Sequence, residues 1–548
     1  MRVTNKIIQN NSVNNINTNK VYQDKLNNQM ATEKKIVRPS DDPVVAIRAL
    51  RLRTNVSQVT QYYEKNIPDA DSWLKVTEDA LTTVSSVITD MIAQCTKGSS
   101  EKLTSTDRQT MLDALVAFRD EVYATGNADY AGRSVFTGYR TESTLMFTDK
   151  DKLNDKIDKK YSITEQVNSD VIDSIKYVNS SFLNGLNESN YATGTYTADD
   201  GNVNNYTDTV EQLIKEADIH RIRLSYNNTD KTAPVIKLYD PATETFGDYL
   251  TATVVSKNAK PSPYQQMAEI NASDVENDTQ TEAAIYIPET GELLISDAVF
   301  EKFVALRDDV TSPTLDESQI QIQYEKTHWT TGDLKPEHYF ACIDETDADP
   351  ANWIAYNQTY LDGIVERQSI EYDVGINQSI RVNTTADEVF THAIGRDVDD
   401  LINVLNSVIE MESTINRLTS IKDGLDSSDA DYDTKMGAIT NQLDAANKAF
   451  TYLKEKSQKM FERGITKMQE HLNTVNEATT ACGTRERKLS LIQNRLMSQK
   501  TNFETLESEN ENVDITEVAI QFKSAELTYQ AALMSVGKIL QTSLMNYI

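Results

Sequence analysis

Apolar residues recur at helical spacing at both ends of the chain but not in the middle. Residues 1–40 are rich in Asn and Gln, with sparse apolar positions at Ile7, Ile16 and Leu26. An arm with so few apolar side chains buries too little surface to offset its own chain entropy. We therefore expect residues 1–40 to form a helix only against a partner.

A stronger helical pattern begins at Pro43. Asp42 can cap this helix, and a proline fits its first turn. Pro68 predicts a kink or break, and Gly98-Ser99-Ser100 predicts the end. Between them the apolar positions alternate steps of four and three, as in a coiled coil, at Trp73, Thr77, Ala80, Val84, Val87 and Met91. Residues 107–123 predict one more helix.

The middle of the chain, residues 149–385, has a different pattern of apolar residues. Short β-branched and aromatic runs predict strands at 221–226, 235–239, 284–287, 293–295 and 320–324. The segment from Pro288 to Gly291 reads as a hairpin turn, and a second strand pair is expected around Gly375. Short helices are expected near 162–177 and 298–307. We interpret this region as an inserted mostly-β or α+β domain.

Helical spacing returns at about Asp397. A stripe of apolar residues runs to Leu418, and a polar break follows at residues 426–431. A long helix is then expected to reach about Glu507, with Gly483 as its predicted interruption. Asp514 can cap a last helix that starts at Ile515.

The last helix carries apolar residues on two flanks. One stripe alternates steps of four and three and continues to Ile539, and Leu533, Leu540 and Tyr547 form a second stripe. Because two flanks are apolar, this helix must bury against partners on more than one side. We predict that the first stripe is an assembly or chaperone surface, formed by Val518, Phe522, Ala525, Tyr529, Ala532, Val536 and Ile539.

These patterns predict a mainly α fold, in which both chain ends form an antiparallel coiled-coil helical bundle with the inserted domain between them. The expected domains are a terminal assembly region of 1–40 and 515–548, a bundle of 41–148 and 386–514, and an acidic insert of 149–385. In such a layout the two boundaries of the insert lie close together. We therefore expect that a short linker could replace the insert without disturbing the bundle.

The net charge of the chain limits the classes of partner that it is expected to bind. The 548 residues carry a formal net charge of −30, and residues 149–385 contain 42 acidic and 19 basic side chains. This balance excludes nucleic acid and anionic membrane surfaces as expected partners. Cys95, Cys342 and Cys482 are too few and too far apart for a disulfide framework. The N-terminal residues have no apolar core of a cleaved signal peptide, which on its own would favour the cytosol.

Candidate chemistry is sparse. His338 and Cys342 lie four apart before an acidic loop and could hold a metal, but a strand edge followed by that loop is the favoured interpretation. Asp41 and Asp42 could act as paired carboxylates, but helix capping accounts for Asp42 and for Pro43. Phosphate-loop, dinucleotide and zinc-protease motifs do not occur. The sequence therefore predicts no catalytic residue, no cofactor and no metal.

Several motifs resemble the flagellin superfamily, and within it the hook–filament junction family. After the first helix stands a run typical of that family, Arg38-Pro39-Ser40-Asp41-Asp42-Pro43-Val44. The segment 127–138, with its Val-Phe-Thr-Gly ending, and the strand pair within 370–390 are also similar. The ending Leu540-Gln541-Thr542-Ser543-Leu544-Met545-Asn546-Tyr547-Ile548 resembles junction proteins rather than filament flagellins.

The resemblance implies an extracellular structural subunit that joins hook to filament and assembles as a ring. Its implied partners are copies of itself, a neighbouring hook-associated junction protein, flagellin, and an export chaperone on the C-terminal helix. It also implies flagellar type III export without a cleaved signal, and adds Leu544 and Tyr547 to the assembly surface. A filament flagellin, a cytosolic coiled-coil scaffold and an enzyme housed in the insert stay open as alternatives.

Overall fold

The computed structural model describes residues 5–545, apart from 101, 192–194, 198–202, 206–209, 241–242, 244, 309–319 and 363–367. At 539–545 only the backbone is described. The chain divides into two units. The first comprises Met1–Ser72, Glu371–Arg381 and Arg485–Ile548, and the second comprises Trp73–Ile370 and Val382–Thr484.

The N-terminal helices follow the predicted pattern. They are α1 (Asn5–Thr32), α2 (Pro43–Gln61), α3 (Ile67–Gly98) and α4 (Ser105–Thr125). Asp42 caps α2 by accepting hydrogen bonds from the backbone N–H groups of Val44 and Val45, as predicted. A π-helical segment, Tyr62–Asn66, separates α2 from α3 just before Pro68. A proline has no N–H and clashes with the carbonyl four residues earlier, so the interruption predicted at Pro68 appears as a widened turn.

The central region contains most of the strands, as the sequence predicts. The strands and helices between α4 and the C-terminal helices are β1 (Asp129–Tyr130), β2 (Arg133–Ser134), β3 (Tyr161–Val167), β4 (Asp173–Val178), β5 (Thr195–Thr197), β6 (Val203–Asn205), β7 (Glu216–Arg223), β8 (Val235–Asp240), β9 (Thr245–Thr251), β10 (Thr253–Val254), α5 (Pro263–Asn277), β11 (Ala284–Ile287), β12 (Glu292–Ile295), α6 (Asp297–Asp308), β13 (Ile320–Lys326), β14 (Ala341–Asp344), β15 (Ile354–Tyr356), β16 (Glu371–Gly375) and β17 (Gln378–Arg381).

Within the described residues, two larger sheets organise these strands. One has the order β10-β11-β12-β7-β4 and the other β15-β14-β3-β13-β8-β9. Their shared core includes Tyr161, Ile163, Tyr286, Leu293 and Ile322. The region is therefore α+β, with β10 and β11 parallel and the other neighbours in the two sheets antiparallel.

The hairpin predictions are confirmed. Residues 288–291 connect β11 to β12, and Gly291 takes a positive φ of 66°. A Cβ atom at Gly291 would meet the backbone oxygen of Tyr226 at 2.0 Å, so only glycine fits. The pair β16 and β17 forms around Gly375 as expected.

One helix prediction in the insert is wrong and one helix was missed. Residues 162–177 form β3 and β4 instead of a helix. In β3, Tyr161, Ser162, Ile163 and Glu165 are all buried, because the strand lies between β13 and β14 inside its sheet. The helix predicted near 298–307 is confirmed as α6, whereas α5 was not predicted.

The C-terminal half contains α7 (Ala386–Val389), α8 (His392–Asp423), α9 (Tyr432–Glu511) and α10 (Ile515–Met545). The predicted polar break between α8 and α9 is confirmed. The interruption predicted at Gly483 is wrong, because this residue lies inside α9, which is one continuous helix of 80 residues. A glycine costs an interior helical position only about 1 kcal/mol, which so long a helix tolerates. No helix among the described residues is both long and apolar enough to span a membrane.

The insert shares a core with α8 and α9. Val178, Leu183 and Ile214 of the insert pack in one cluster with helical side chains that include Val408, Met411, Leu418, Ile439 and Leu453. Because these residues are buried together, the insert packs against α8 and α9 and does not merely extend from them. Removing the insert would expose the apolar face that α8 and α9 present to it.

Candidate assembly site

The connector after α1 and the connector after α9 cross each other in the first unit. Glu33 ends α1 with a positive φ of 58°. Its carbonyl then accepts a hydrogen bond from Val513 N–H at 3.1 Å, and Lys35 N–H donates to the carbonyl of Glu511 at 2.7 Å. Lys34 and Asn512 form the antiparallel bridge between these two bonds. The end of α1 is therefore fixed to the start of α10 by backbone contacts.

A buried carboxylate lies beside this crossing. The side chain of Glu511 is 4% exposed, and its Oε2 accepts from Arg53 Nη2 and lies 3.3 Å from Lys34 Nζ. The hydrogen bond from Arg53 lowers the pKa of Glu511 below its ordinary value, more than burial raises it. The connector after α1 and the helix α2 thus both contribute a cation to one ionised group at the end of α9.

The motif 38–43 forms the turn that leads into α2. Arg38, Pro39 and Ser40 are exposed, and Asp41 Oδ2 accepts from the backbone N–H groups of Val37 at 3.2 Å and Arg38 at 2.9 Å. The hydrogen bond from Arg38 is the main reason that the pKa of Asp41 is lowered. Asp41 therefore closes the turn while Asp42 caps the helix. These bonds explain the two adjacent carboxylates without acid–base chemistry.

The first stripe of α10 faces α1. Val518 and Ala525 are buried against Leu26, and Phe522 packs beside them. Asp514 caps α10, as predicted, by accepting from Thr516 N–H at 2.8 Å. Farther along the stripe the side chains are only partly buried, at Tyr529, Ala532 and Val536. The side chains of Ile539 and Leu544, and Tyr547 entirely, lie outside the described residues.

A different stripe of α10 is open. Ile520, Leu527 and Met534 repeat every seven residues and are 66%, 66% and 72% exposed. The sequence analysis did not select these residues, although their seven-residue spacing could have identified them. Because seven residues make almost two helical turns, the three side chains share one face. At 3.6 residues per turn this face lies on the side of α10 opposite the α1-facing stripe, and it carries large apolar groups.

The hairpin of β16 and β17 is bound to helices of the same unit. Tyr372 donates to the carboxylate of Asp69, and Asn66 Nδ2 donates to the carbonyl of Asp373 at 2.7 Å. Arg495 on α9 donates to the side chain of Gln378. The hairpin therefore holds the π-helical segment and α9 in a fixed register.

The alternative metal site at His338 and Cys342 is not supported by its surroundings. Cys342 lies in β14, which pairs with both β15 and β3, so it does not lie on a strand edge as expected. Burial lowers the pKa of His338 to about 3. The described part of the chain brings together no group of three or more His, Cys, Asp or Glu side chains suited to a metal ion.

The N-terminal helices are similar to those of a known protein family. Residues 3–141 match the family described as bacterial flagellin N-terminal helical region. The flagellin-type segment thus contains α1 to α4 and the motif 38–43.

Two curated proteins that are similar to this chain carry the same name. Flagellar hook-associated protein 3 of Escherichia coli (strain K12) is 30% identical over 129 residues, which cover 23% of this chain and 40% of the relative. Flagellar hook-associated protein 3 of Salmonella typhimurium (strain LT2) is 28% identical over 144 residues, covering 26% and 45%. The chain thus spans less than half the length of the curated relatives it matches.

A solved structure is also similar to this chain. It is flagellar hook associated protein-3 of Legionella pneumophila, with 8% sequence identity and a TM-score of 0.28. The similarity covers 84% of this chain and 97% of that one.

Proposed function

We propose that the chain is a structural subunit of the bacterial flagellum that joins the hook to the filament. The observation that carries this proposal is the pairing of the flagellin-type helix α1 with the C-terminal helix α10. Both curated relatives are named flagellar hook-associated protein 3, which favours the junction over the filament itself. The proposal assigns the chain no catalytic role.

We also propose that assembly proceeds through the paired terminal helices. Residues of the first stripe hold α10 against α1, and the open stripe of Ile520, Leu527 and Met534 offers an apolar face to a neighbouring subunit. Burying three side chains of this size would contribute several kcal/mol per contact. Tyr529, Ala532, Val536, Ile539, Leu544 and Tyr547 extend the proposed surface toward the end of the helix.

The proposal retains the three-part division of the chain. Residues 1–40 and 515–548 are the assembly region, 41–148 and 386–514 are an antiparallel coiled-coil bundle, and 149–385 are the insert. Support for the bundle comes from contacts among its helices: Arg108 of α4 binds Glu412 of α8 at 2.9 Å, and a Cβ atom on Gly464 of α9 would meet Cys95 of α3 at 3.3 Å.

The proposed location is outside the cell, at the hook–filament junction, reached by flagellar type III export. The proposed partners are a second hook-associated protein, flagellin and other copies of this chain, with an export chaperone on α10 beforehand. The open apolar stripe supports a chaperone, because an exposed face of this kind favours association in the cell.

Deleting the gene tests the proposal. We expect flagellin to be shed as free monomer from cells with intact hooks, and filaments to return when the wild-type gene is supplied. Attached filaments on the deletion strain would contradict a junction role. Loss of the protein from sheared flagella, with all of it in the cytosol, would instead favour a cytosolic scaffold.

A further inference from the structure

A basic cavity lies in the second unit, between β4, β7, α8 and α9. Its volume is about 260 Å³, which suits a small ligand. Six basic side chains line it, against four acidic ones. The basic residues are Lys176, Arg221, Lys456, Lys459, Arg463 and Lys467. In a chain of net charge −30, such a local excess of positive charge is unusual.

Three of the four carboxylates already have partners, and two of these partners, Arg221 and Arg463, are basic residues of the same cavity wall. Asp400 binds the guanidinium groups of Arg221 and Arg223. Asp173 lies 2.6 Å from Arg463, and Asp397 lies 2.8 Å from His471. The fourth, Asp218, is exposed at the rim. Lys176 and Lys467 also pair with carboxylates, Glu216 and Glu470, so the unpaired positive charge among the described residues of the wall is that of Lys456 and Lys459.

Two cationic donors in the cavity wall have unused hydrogen-bonding capacity. Arg221 is 3% exposed, and although its Nη atoms bind Glu292 and Asp400, its buried Nε has no hydrogen-bond partner in the described part of the chain. Lys456 makes no hydrogen bond or ion pair with any described residue. Burial, and then the charge of Arg221, lower the pKa of Lys456 to about 8. Arg221 Nε is enclosed by protein atoms and out of a ligand's reach, so the partly buried Lys456 Nζ is the donor that calls for an acceptor from the cavity.

We propose that this cavity binds a small oxyanion of the phosphate or carboxylate class, held by Lys456 Nζ beside the guanidinium group of Arg221. An oxyanion supplies an acceptor to Lys456 and offsets the repulsion between the charges of Lys456 and Arg221. Lys459, which has no partner among the described residues, adds a third charge on the same helix. The overall negative charge of the chain repels anions, so attraction must arise from this local cluster. A bound anion would link β7 to α9.

The test uses the full-length chain and inorganic phosphate, with chloride exchanged for phosphate at constant ionic strength. An amine-reactive reagent modifies the lysines, and mass spectrometry of peptides reports the rate at each one. At a phosphate concentration about ten times Kd, modification of Lys456 should slow about tenfold, since only the free state reacts. Lys488 is an exposed lysine on α9 outside the cavity and should react at an unchanged rate.

Variants separate specific binding from a general salt effect. Phosphate should raise the Tm of the wild type and of Lys488→Met, but not of Lys456→Met. The same experiment with citrate identifies the ligand class, because protection of Lys456 by citrate and not by phosphate would indicate a carboxylate. The proposal is overturned if neither anion protects Lys456, or if phosphate raises the Tm of Lys456→Met as much as that of the wild type.

Discussion

Arg53 on α2 donates a hydrogen bond from Nη2 to Oε2 of Glu511, the last residue of α9. The side chain of Arg53 is 56% exposed, whereas that of Glu511 is 4% exposed. Lys34, just after α1, shares the same oxygen. Because a buried carboxylate needs its partners, the crossing of the two connectors depends on this ion pair.

Glu511→Gln should loosen the crossing. The amide keeps the size of the side chain but loses the charge that Arg53 and Lys34 bind, at a cost of about 1.5 to 3 kcal/mol. We expect faster hydrogen exchange in α1 and in the described part of α10, with a smaller effect on the Tm of the second unit.

Glu509→Gln is the matched control, since Glu509 is exposed on the same turn of α9. It should leave exchange in α1 and α10 unchanged. Equal protection of these helices in the wild type and in Glu511→Gln would show that the ion pair does not hold the connectors.

The same contact should be sensitive to acid. The pKa of Glu511 is lowered from an ordinary value of 4.5, so its ionised form stabilises the folded state. This contribution is complete above 4.5 and is lost as pH falls through the lower, folded-state pKa. Protection of α1 and α10 should therefore fall below about pH 4. Glu511→Gln should lack this acid-dependent step; an identical step in the variant would assign it to other carboxylates.

Local signals account for the features that the sequence predicted correctly. Asp42 and Asp514 cap helices that begin within two residues of them, and the stripe of Val518 and Ala525 follows from the helical period. Each of these depends on neighbours along the chain. The flagellin-type motif 38–43 also forms a local turn, which is why its residues could be assigned to capping in advance.

Long-range pairing accounts for what the sequence missed. Arg53 and Glu511 are 458 positions apart, and no local pattern relates them. The sequence grouped 1–40 with 515–548, but the residues of α1 that contact the first α10 stripe could not be inferred, because the apolar residues of α1 are sparse. Leu26 alone is buried deeply there, and it lies within a mostly polar helix.

Removing the insert should destabilise the second unit, contrary to the expectation from the sequence. Replacing 149–385 by a short linker removes Val178, Leu183 and Ile214 from the core they share with α8 and α9. It also leaves Asp400 buried without Arg221 and Arg223. Calorimetry should show a lower Tm and a broader transition for the deletion variant. A sharp transition at the wild-type Tm would restore the view that the insert is dispensable.

Lys456→Met should stabilise the folded chain at neutral pH. Burial lowers the pKa of Lys456 to about 8, so below that pH the folded state holds a disfavoured charge. The penalty is fully present below the folded pKa and vanishes above the unfolded value of about 10.4. The variant should therefore gain about 1 to 3 kcal/mol at pH 7, and the gain should shrink toward pH 10.

Denaturant titrations at several pH values measure this difference. Lys488→Met, on an exposed position of the same helix, serves as the control and should show no such pH dependence. A Lys456→Met variant that is less stable than the wild type at pH 7 would indicate that the ammonium group has a stabilising partner.

The two stripes of α10 should respond differently to a new charge. Phe522 packs in the α1-facing cluster, whereas Leu527 is 66% exposed. Phe522→Asp buries an unpaired carboxylate and should release α10 from α1 in the isolated chain, seen as lost hydrogen-exchange protection. Leu527→Asp should change the free energy of unfolding by only about 0.5 kcal/mol, yet prevent assembly because a neighbouring subunit would have to bury the charge.

Gln530→Asp, at an exposed polar position, should affect neither property. Assembly of Leu527→Asp at the wild-type level would show that the open stripe is not an interface. An unchanged exchange pattern in Phe522→Asp would show that α1 and α10 do not depend on each other.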